Sequence, residues 1–217
     1  MKVRVKAKHI TESLMSYDHS EISRQQQDAF AAASQVKASE AIEFKRFVEE
    51  IAPVSVPQRK GDPLIIDTDE YPRPGTTVDT LAKLKPAFRP DGSVTAGNAS
   101  GINDGAAMLI LASAEAVQKY QLPVLAWIRS SGSAALEPSH MGYGPVPASK
   151  IALQRAGWKL QDLELLELNE AFAAQSLAVL QGFKEELGGI DSALVNVNGG
   201  AIALGHPIGA SGARNVR

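Results

Sequence analysis

His206 stands in a glycine-rich run late in the sequence, NVNGGAIALGHPIGASGAR, between Gly205 and Pro207. Proline fixes its own φ and glycine brings no side chain, so the imidazole is predicted to lie in a rigid, crowded loop. An imidazole can transfer a proton near neutral pH or donate a hydrogen bond to developing negative charge. The run fits no phosphate-binding loop, because no Gly-Lys-Ser/Thr follows, and a purely structural glycine turn remains an alternative.

Asn169 falls where a predicted apolar strand meets a predicted apolar helix, so its amide is expected to be buried and to need partners. Two roles are open. It caps the helix, with Glu170 in the first turn near the positive end of the dipole, or it holds a water or an oxyanion. Ser100 and Ser211 also lie in glycine-rich loops, but neither occupies a Gly-x-Ser-x-Gly elbow, and a serine nucleophile needs a base beside it.

The composition indicates a soluble globular protein, with 44% hydrophobic and 21% charged residues and a formal net charge of −2. This charge argues against nucleic-acid and membrane-surface partners. No apolar run reaches the roughly 18 to 20 residues of a membrane span, and the first residues lack a signal-peptide core, so a cytoplasmic protein is expected. The sequence contains no cysteine, which leaves it without a cysteine nucleophile. His9, His19 and His140 have no metal-like spacing, and we predict surface positions for them and no metal site.

Strand-like and helix-like segments alternate after residue 90, which predicts an α/β fold with a parallel or mixed sheet covered by helices. Strands are expected in GNASGINDGAAMLILAS, PVLAWIRSSGSA, LQDLELLELN and SALVNVNGG. Helices are expected after the caps Ser23 and Ser113, in PVPASKIALQRAGW between Pro147 and Gly157, and in EAFAAQSLAVLQGFKEELGG. The proline-rich stretch 51–88 is predicted to be an irregular excursion that carries binding residues. The first eight residues alternate basic and apolar, as a cationic strand or a solvated terminus would.

Four segments together resemble the thiolases, enzymes that make or break the carbon–carbon bond of 3-oxoacyl-CoA thioesters. They are GNASGINDGAA, GPVPASKIALQRAG, NEAFAAQ and NVNGGAIALGHPIGASGAR, in this order and at these separations. The resemblance implies an incomplete thiolase-like α/β fold: a loop domain over 1–90, the end of the first half over 91–118, and part of the second half over 119–217. Both cysteine-bearing segments of the family are missing from this sequence.

The resemblance also implies site roles. His206 is expected to serve the enolate oxygen, together with a water held by Asn169. Arg73, in YPRPG, is expected near the adenine of coenzyme A, although it reads equally as a solvated loop charge. The coenzyme A and pocket residues implied are Arg73, Asp79, Thr80, Ala87, Phe88, Ala96, Ser100, Met141 and Phe172.

The activity implied is that of an acetyl-CoA acetyltransferase, in which coenzyme A thioesters are substrates and no cofactor is needed. Without a thiolate, the chain alone is expected to be inactive, and a non-catalytic coenzyme A-binding or assembly subunit completed by a partner is the alternative. The complete protein is expected to form homo-oligomers. An unfinished sheet is expected to expose strand edges and apolar surface.

Overall fold

The computed structural model describes residues 22–216, and the elements named below are those of this range. The α-helices are α1 (Arg24–Glu43), α2 (Val78–Ala82), α3 (Ala114–Tyr120), α4 (Pro145–Ala156), α5 (Ala173–Leu187), α6 (Ala201–Leu204) and α7 (Ser211–Arg214). Short 3₁₀ turns cover Pro138–Tyr143, Leu160–Asp162 and Ser192–Leu194. Strands β1 (Val54–Val56) and β2 (Leu64–Ile66) pair antiparallel, with Val54 opposite Ile66.

The helix ends follow the capping signals of the sequence. Ser23 caps α1 with a capping box, since its side chain accepts from the Gln26 N–H and the Gln26 side chain accepts from the Ser23 N–H. Ser113 caps α3 in the simpler way, accepting from the Ala116 N–H. Helix α4 starts with prolines in its first turn, two residues earlier than predicted, and ends as predicted at Gly157, whose φ of +72° is the left-handed C-terminal conformation.

Helix α5 lies between two cores. Its Val179 and Phe183 pack into a cluster with Val146 of α4 and the buried residues Leu160, Leu168 and Val195. At its start, Ala173 packs into a second cluster with Ala31 and Ala32 of α1, Leu81 of α2 and Ile202 of α6. This explains why the first turns of α5 are apolar nearly all round, because they face α1 on one side and the first core on the other.

Two of the predicted buried strands are absent from the described residues. Segments 103–113 and 122–137 have no regular secondary structure. Their apolar side chains face solvent, with Met108 92% and Leu125 98% exposed. A strand requires a hydrogen-bonded neighbour, and no strand of the described range runs beside either segment. The strand prediction is therefore wrong here, whereas the expected exposure of apolar surface is seen.

The other two predicted strands pair in parallel but over a short distance. Leu166 and Val195 form a single parallel bridge. The side chain of Asn196 then takes the place of a neighbouring backbone: its Oδ1 accepts from the Leu168 N–H at 2.7 Å and its Nδ2 donates to Leu168 O at 2.8 Å. The parallel direction agrees with the predicted parallel or mixed sheet, and the side chain of Asn196 limits the ladder.

The stretch 51–88 is irregular, as predicted, apart from the short elements β1, β2 and α2. Arg24 ties α2 to α1, because its guanidinium donates to Leu81 O at 2.7 Å and to Leu84 O at 3.0 Å. Among the described helices, none combines the length and apolar character needed to cross a bilayer. The predictions for His9, His19 and the first eight residues lie outside the described residues.

Candidate active site

Three loops that lie at the ends of predicted strands meet in one place. Ala99 forms an antiparallel bridge with Phe172, and Ile102 forms a parallel bridge with His206. Two further bonds reinforce the first contact: Ser100 N–H and Oγ both donate to Ala171 O, at 3.0 and 2.9 Å. The GNASG, NEAF and GHP motifs are thus assembled by backbone pairing rather than by side chains alone.

The side chains of Asn169 and His206 lie side by side at this junction. Asn169 Nδ2 is 3.5 Å from His206 Nε2. The other amide atom, Asn169 Oδ1, is buried and has no hydrogen-bond partner among residues 22–216. A buried acceptor is costly to leave unpaired, so this atom is available to a donor beyond the described residues, such as a water.

The opposite edge of the imidazole is held by Ser211, whose Oγ lies 2.7 Å from His206 Nδ1. Ser211 Oγ also donates to Pro207 O at 3.2 Å. A hydroxyl has one proton to donate, so with that proton on Pro207 O, Ser211 accepts from Nδ1–H, and the lone pair of Nε2 faces Asn169. Ser211 thus has a base beside it, but in this network it orients the imidazole.

The His206 ring is poised to be neutral. Partial burial lowers the pKa of His206 below its ordinary value, and the nearby positive charge of Arg214 lowers the pKa further. Arg214 lies close because its guanidinium donates to Gly205 O at 2.6 Å. A neutral imidazole with a free Nε2 lone pair is a base, and once protonated there it becomes a hydrogen-bond donor.

Asn103 fixes the backbone of the histidine loop, since its Oδ1 accepts from the His206 N–H at 3.1 Å. Gly205, directly before the histidine, has φ +83°, and a side chain there would also press on the Asn103 amide. The glycine is therefore required both by conformation and by space. Asn103 was not identified from the sequence, and its position in GINDG carries no periodic signal that would mark it.

The capping role considered for Asn169 is wrong. Helix α5 begins at Ala173, and Phe172 is its N-cap residue without a side-chain hydrogen bond. Glu170 is likewise not in the first turn: it is buried and accepts hydrogen bonds from Ser34, Asn196 and the Ile202 N–H. Asn169 and Glu170 do precede the helix, but neither side chain caps it: Asn169 contacts His206, and Glu170 accepts from Ser34, Asn196 and Ile202.

Three of the residues expected along coenzyme A, Phe88, Ser100 and Phe172, lie at this junction. Phe88 is 45% exposed and contacts Phe172 edge to face, with ring centroids 6.3 Å apart. Ala87 and Ala96 are exposed, and Ser100 is half-buried. Phe88, Phe172 and Ser100 are thus brought together with Asn169 through the NEAF loop. Their binding roles remain predictions.

The Arg73 loop is joined to the histidine loop by one amide of α1. Gln35 Oε1 accepts from the Arg73 N–H at 2.9 Å, and Gln35 Nε2 donates to Ile202 O at 3.4 Å. The Arg73 side chain is exposed, as are Asp79 and Thr80. Thr80 has a structural role as well, since its Oγ1 accepts from the Thr77 N–H in the capping box of α2.

Met141 is 59% exposed and sits in the 3₁₀ turn Pro138–Tyr143, which packs against α5. In the same turn, His140 is half-buried, with its Nδ1 3.0 Å from Ser139 Oγ. Over residues 22–216, no group of three or more His, Cys, Asp or Glu side chains is arranged to hold a metal ion.

Comparison with known families identifies the class of protein. Residues 9–115 match the family profile described as "Thiolase, N-terminal domain", and residues 122–217 match "Thiolase, C-terminal domain". The chain belongs to the thiolase family. Its fold is the thiolase fold in incomplete form, as the sequence resemblance implied.

Individual relatives agree with this assignment. The acetyl-CoA acetyltransferase of Pseudomonas aeruginosa is 65% identical over 193 residues, which are 89% of this chain and 48% of that protein. The beta-ketoadipyl-CoA thiolase of Acinetobacter baylyi is 55% identical over 196 residues, 90% of this chain and 48% of that protein. The chain therefore spans about half the length of the curated relatives it matches.

Solved structures show the same relationship. The crystal structure of the Bacillus anthracis acetyl-CoA acetyltransferase matches with a TM-score of 0.88 and 45% identity, over 98% of this chain and 52% of that one. Human mitochondrial 3-ketoacyl-CoA thiolase matches with a TM-score of 0.83 and 42% identity, over 98% of this chain and 51% of that one.

Proposed function

We propose that this chain supplies the enolate-stabilising part of an acetyl-CoA acetyltransferase. The observation that carries the proposal is the contact between Asn169 and His206 at the junction of three loops, in a chain of the thiolase family. The unpaired Asn169 Oδ1 adds an acceptor for a water at the same place. The names of the acetyl-CoA acetyltransferase relatives support the choice of substrate.

The reaction joins two acetyl-CoA molecules. A thiolate takes the acetyl group of the first and releases coenzyme A. The second acetyl-CoA loses an α-proton to a base, and the resulting enolate carbon attacks the enzyme-bound acetyl carbonyl and releases the thiolate, giving acetoacetyl-CoA. Thiolysis is the reverse. Negative charge builds on the thioester oxygen of the enolate, where a donor in a dry site gives a large stabilisation.

In this scheme His206 has two states. Neutral, with its lone pair on Nε2, it accepts a proton from a nearby thiol; protonated, it donates from Nε2 to the enolate oxygen. Ser211 keeps the ring oriented in both states because a hydroxyl can accept from Nδ1–H throughout. Asn169 holds the water that completes the donor pair.

The thiolate is the missing participant, since the 217 residues contain no cysteine. We propose that the chain alone does not turn over and that it becomes active when joined to the cysteine-bearing segments expected from the family, an assembly called here the completed enzyme. The thioesters are substrates, and the reaction needs no metal or cofactor, so treatment with EDTA is expected to leave activity unchanged. The completed enzyme is expected to be a cytoplasmic homo-oligomer.

The test is a thiolysis assay with acetoacetyl-CoA and coenzyme A. The isolated chain is expected to give no turnover and the completed enzyme to give it. Turnover by the isolated chain would overturn the proposed inactivity, and an inert completed enzyme that is folded and binds coenzyme A would overturn the proposed reaction.

The lack of cysteine also favours a second candidate, a coenzyme A-binding subunit without catalysis. Isothermal titration of the isolated chain with coenzyme A separates the two. Binding by the chain together with an inert completed enzyme supports the binding subunit, whereas an active completed enzyme supports the acyltransferase.

A further inference from the structure

Glu170, the residue that follows Asn169 in the chain, is a buried carboxylate with only 1% of its surface exposed. It accepts from Ser34 Oγ at 2.7 Å, from Asn196 Nδ2 at 2.8 Å and from the Ile202 N–H at 3.2 Å. All three partners are donors, as an ionised carboxylate requires. Burial raises the pKa of Glu170, and these hydrogen bonds and the charge of Lys37 act in the opposite direction.

The three donors belong to three parts of the fold. Ser34 lies in the middle of α1, Asn196 follows the Val195 bridge, and Ile202 is in α6, the short helix that ends just before His206. One carboxylate therefore connects the segment carrying Asn169 with the segment carrying His206, and fixes both to the longest helix described.

The surrounding backbone is shaped to admit this carboxylate. A Cβ on Gly200 would overlap the Glu170 carboxyl group, so only glycine fits at that position. Ser34 bridges the two, since its Oγ accepts from the Gly200 N–H at 3.0 Å while donating to Glu170. Asn196 has φ +46°, a left-handed conformation that asparagine tolerates better than most residues.

Asn196 also connects Glu170 with the strand-like segment on the other side. Its side chain bonds both the N–H and the C=O of Leu168 and still donates to Glu170 Oε1. The residues on either side of Asn169 in the chain are thus clamped by one amide and one carboxylate. Asn169 itself has little freedom left to move away from the imidazole.

We propose that Glu170 is a positioning residue that holds the Asn169 amide against the His206 imidazole through the cluster of Ser34, Glu170, Asn196 and Ile202. It rests on the proposed function, because the contact it maintains is the proposed enolate site. Glu170 is not a catalytic residue: its carboxylate is filled by protein donors. Its effect on chemistry passes through the two neighbouring loops.

The test uses the isolated 217-residue chain, without substrate, and follows the His206 ring by ¹⁵N NMR during a pH titration. The first variant is Glu170→Gln, in which an NH₂ group replaces one carboxylate oxygen and faces donors that it cannot accept from. The second is Ser34→Ala, a milder change that serves if Glu170→Gln does not fold. Gln27→Met is the matched control, because Gln27 is another buried polar residue of α1 whose amide bonds Ser93 and Ile22, away from the site.

In both variants the His206 ring is expected to lose its contact with Asn169. The ¹⁵N resonance of Nε2 then moves to that of a nitrogen without a hydrogen bond, and the measured pKa of His206 rises towards the ordinary value of about 6.5. Gln27→Met is expected to lower the midpoint of thermal unfolding without moving either signal. Unchanged His206 signals in a folded Ser34→Ala variant would overturn the proposal, as would equal shifts in Gln27→Met.

The same variants in the completed enzyme separate this proposal from the proposed function. Positioning predicts that kcat falls more than KM rises. If the completed enzyme shows no thiolysis while the NMR signals still shift, the proposed reaction fails and the positioning role stands; if thiolysis is normal in Ser34→Ala and the signals do not shift, the positioning role fails.

Discussion

Asn169 Nδ2 and His206 Nε2 lie 3.5 Å apart although 37 positions separate the two residues in the chain. The contact depends on loop pairing: the Ala99 bridge fixes the NEAF loop and the Ile102 bridge fixes the GHP loop, so the GNASG segment serves as the common template. Under the proposed function, a small displacement at this junction is expected to weaken catalysis, because the stabilisation given by a preorganised donor depends on its geometry.

His206→Ala in the completed enzyme is expected to lower kcat by about 10² to 10³, the cost of losing an oxyanion-type donor. Steady-state thiolysis measures this. His140→Ala is the matched control, since His140 lies in a separate 3₁₀ turn and bonds Ser139. An unchanged kcat in a folded His206→Ala enzyme would reject the assigned role.

Ser211→Ala is expected to remove the hydrogen bond that favours one tautomer of the His206 imidazole. In the native chain, long-range ¹H–¹⁵N correlation should show the proton on Nδ1 of His206, because Ser211 Oγ accepts there. The variant should show a mixture of both tautomers. Ser176, a buried serine on α5, gives the control: Ser176→Ala should leave the His206 signals unchanged. A native ring protonated mainly on Nε2 at neutral pH contradicts the assignment.

The titration of His206 has a definite sign. Its pKa is lowered in the folded chain, first by burial and then by Arg214, so the unfolded state takes up a proton at higher pH. The free energy of unfolding contributed by His206 is therefore present above about pH 6.5 and is lost as pH falls through that value towards the folded pKa. Arg214→Gln should raise the pKa of His206, and Arg214→Lys, which keeps the charge, should raise it less. NMR titration of both variants decides this, and equal shifts would exclude a charge effect.

Arg73→Ala is expected to weaken coenzyme A binding by on the order of tenfold, as the loss of one charged hydrogen bond in the adenine region would. The loop itself should persist, because its anchor is the Arg73 N–H on Gln35 rather than the side chain. Arg59→Ala, which removes another exposed arginine, is the control for net charge. Calorimetric titration measures both, and equal affinities would assign Arg73 to the solvated surface.

Gly200→Ala is expected to destabilise the chain by about 1 to 3 kcal/mol, since the new methyl group must displace the Glu170 carboxylate. Chemical denaturation measures the loss. Gly212→Ala is matched to it, because a Cβ on Gly212 meets nothing within 4 Å and its helix α7 tolerates alanine. Similar free energies of unfolding for the two variants would mean that Gly200 is not constrained by Glu170.

Local signals in the sequence predicted the helices well. Ser23, Ser113 and Gly157 lie at the expected helix ends, because caps depend on short-range hydrogen bonds and on φ, which the residue type largely determines. The strands were predicted less well. Apolar runs such as the one around Met108 record a preference for a sheet, but a strand forms only beside another strand, and that neighbour is non-local.

The sequence points to the two candidate site residues, His206 and Asn169, but not to the residues that hold them in place. His206 and Asn169 could be singled out because an imidazole and an amide in glycine-rich or apolar surroundings are unusual. Ser211, Asn103 and Glu170 act through contacts that depend on loop pairing, and a serine or asparagine in a loop has many ordinary roles. For Glu170, the helix-dipole role that goes with a capping Asn169 is the local explanation, whereas its three partners come from distant parts of the chain.

The Gln35 side chain couples the Arg73 loop to α6, the short helix that precedes His206. Its carbonyl oxygen accepts from the Arg73 N–H and its NH₂ group donates to Ile202 O in α6. A shift of either segment therefore disturbs the amide that also restrains the other. If coenzyme A binds at the Arg73 loop as predicted, its binding and the alignment of the His206 imidazole are expected to be reciprocal, because ordering one segment lowers the entropy lost in ordering the other.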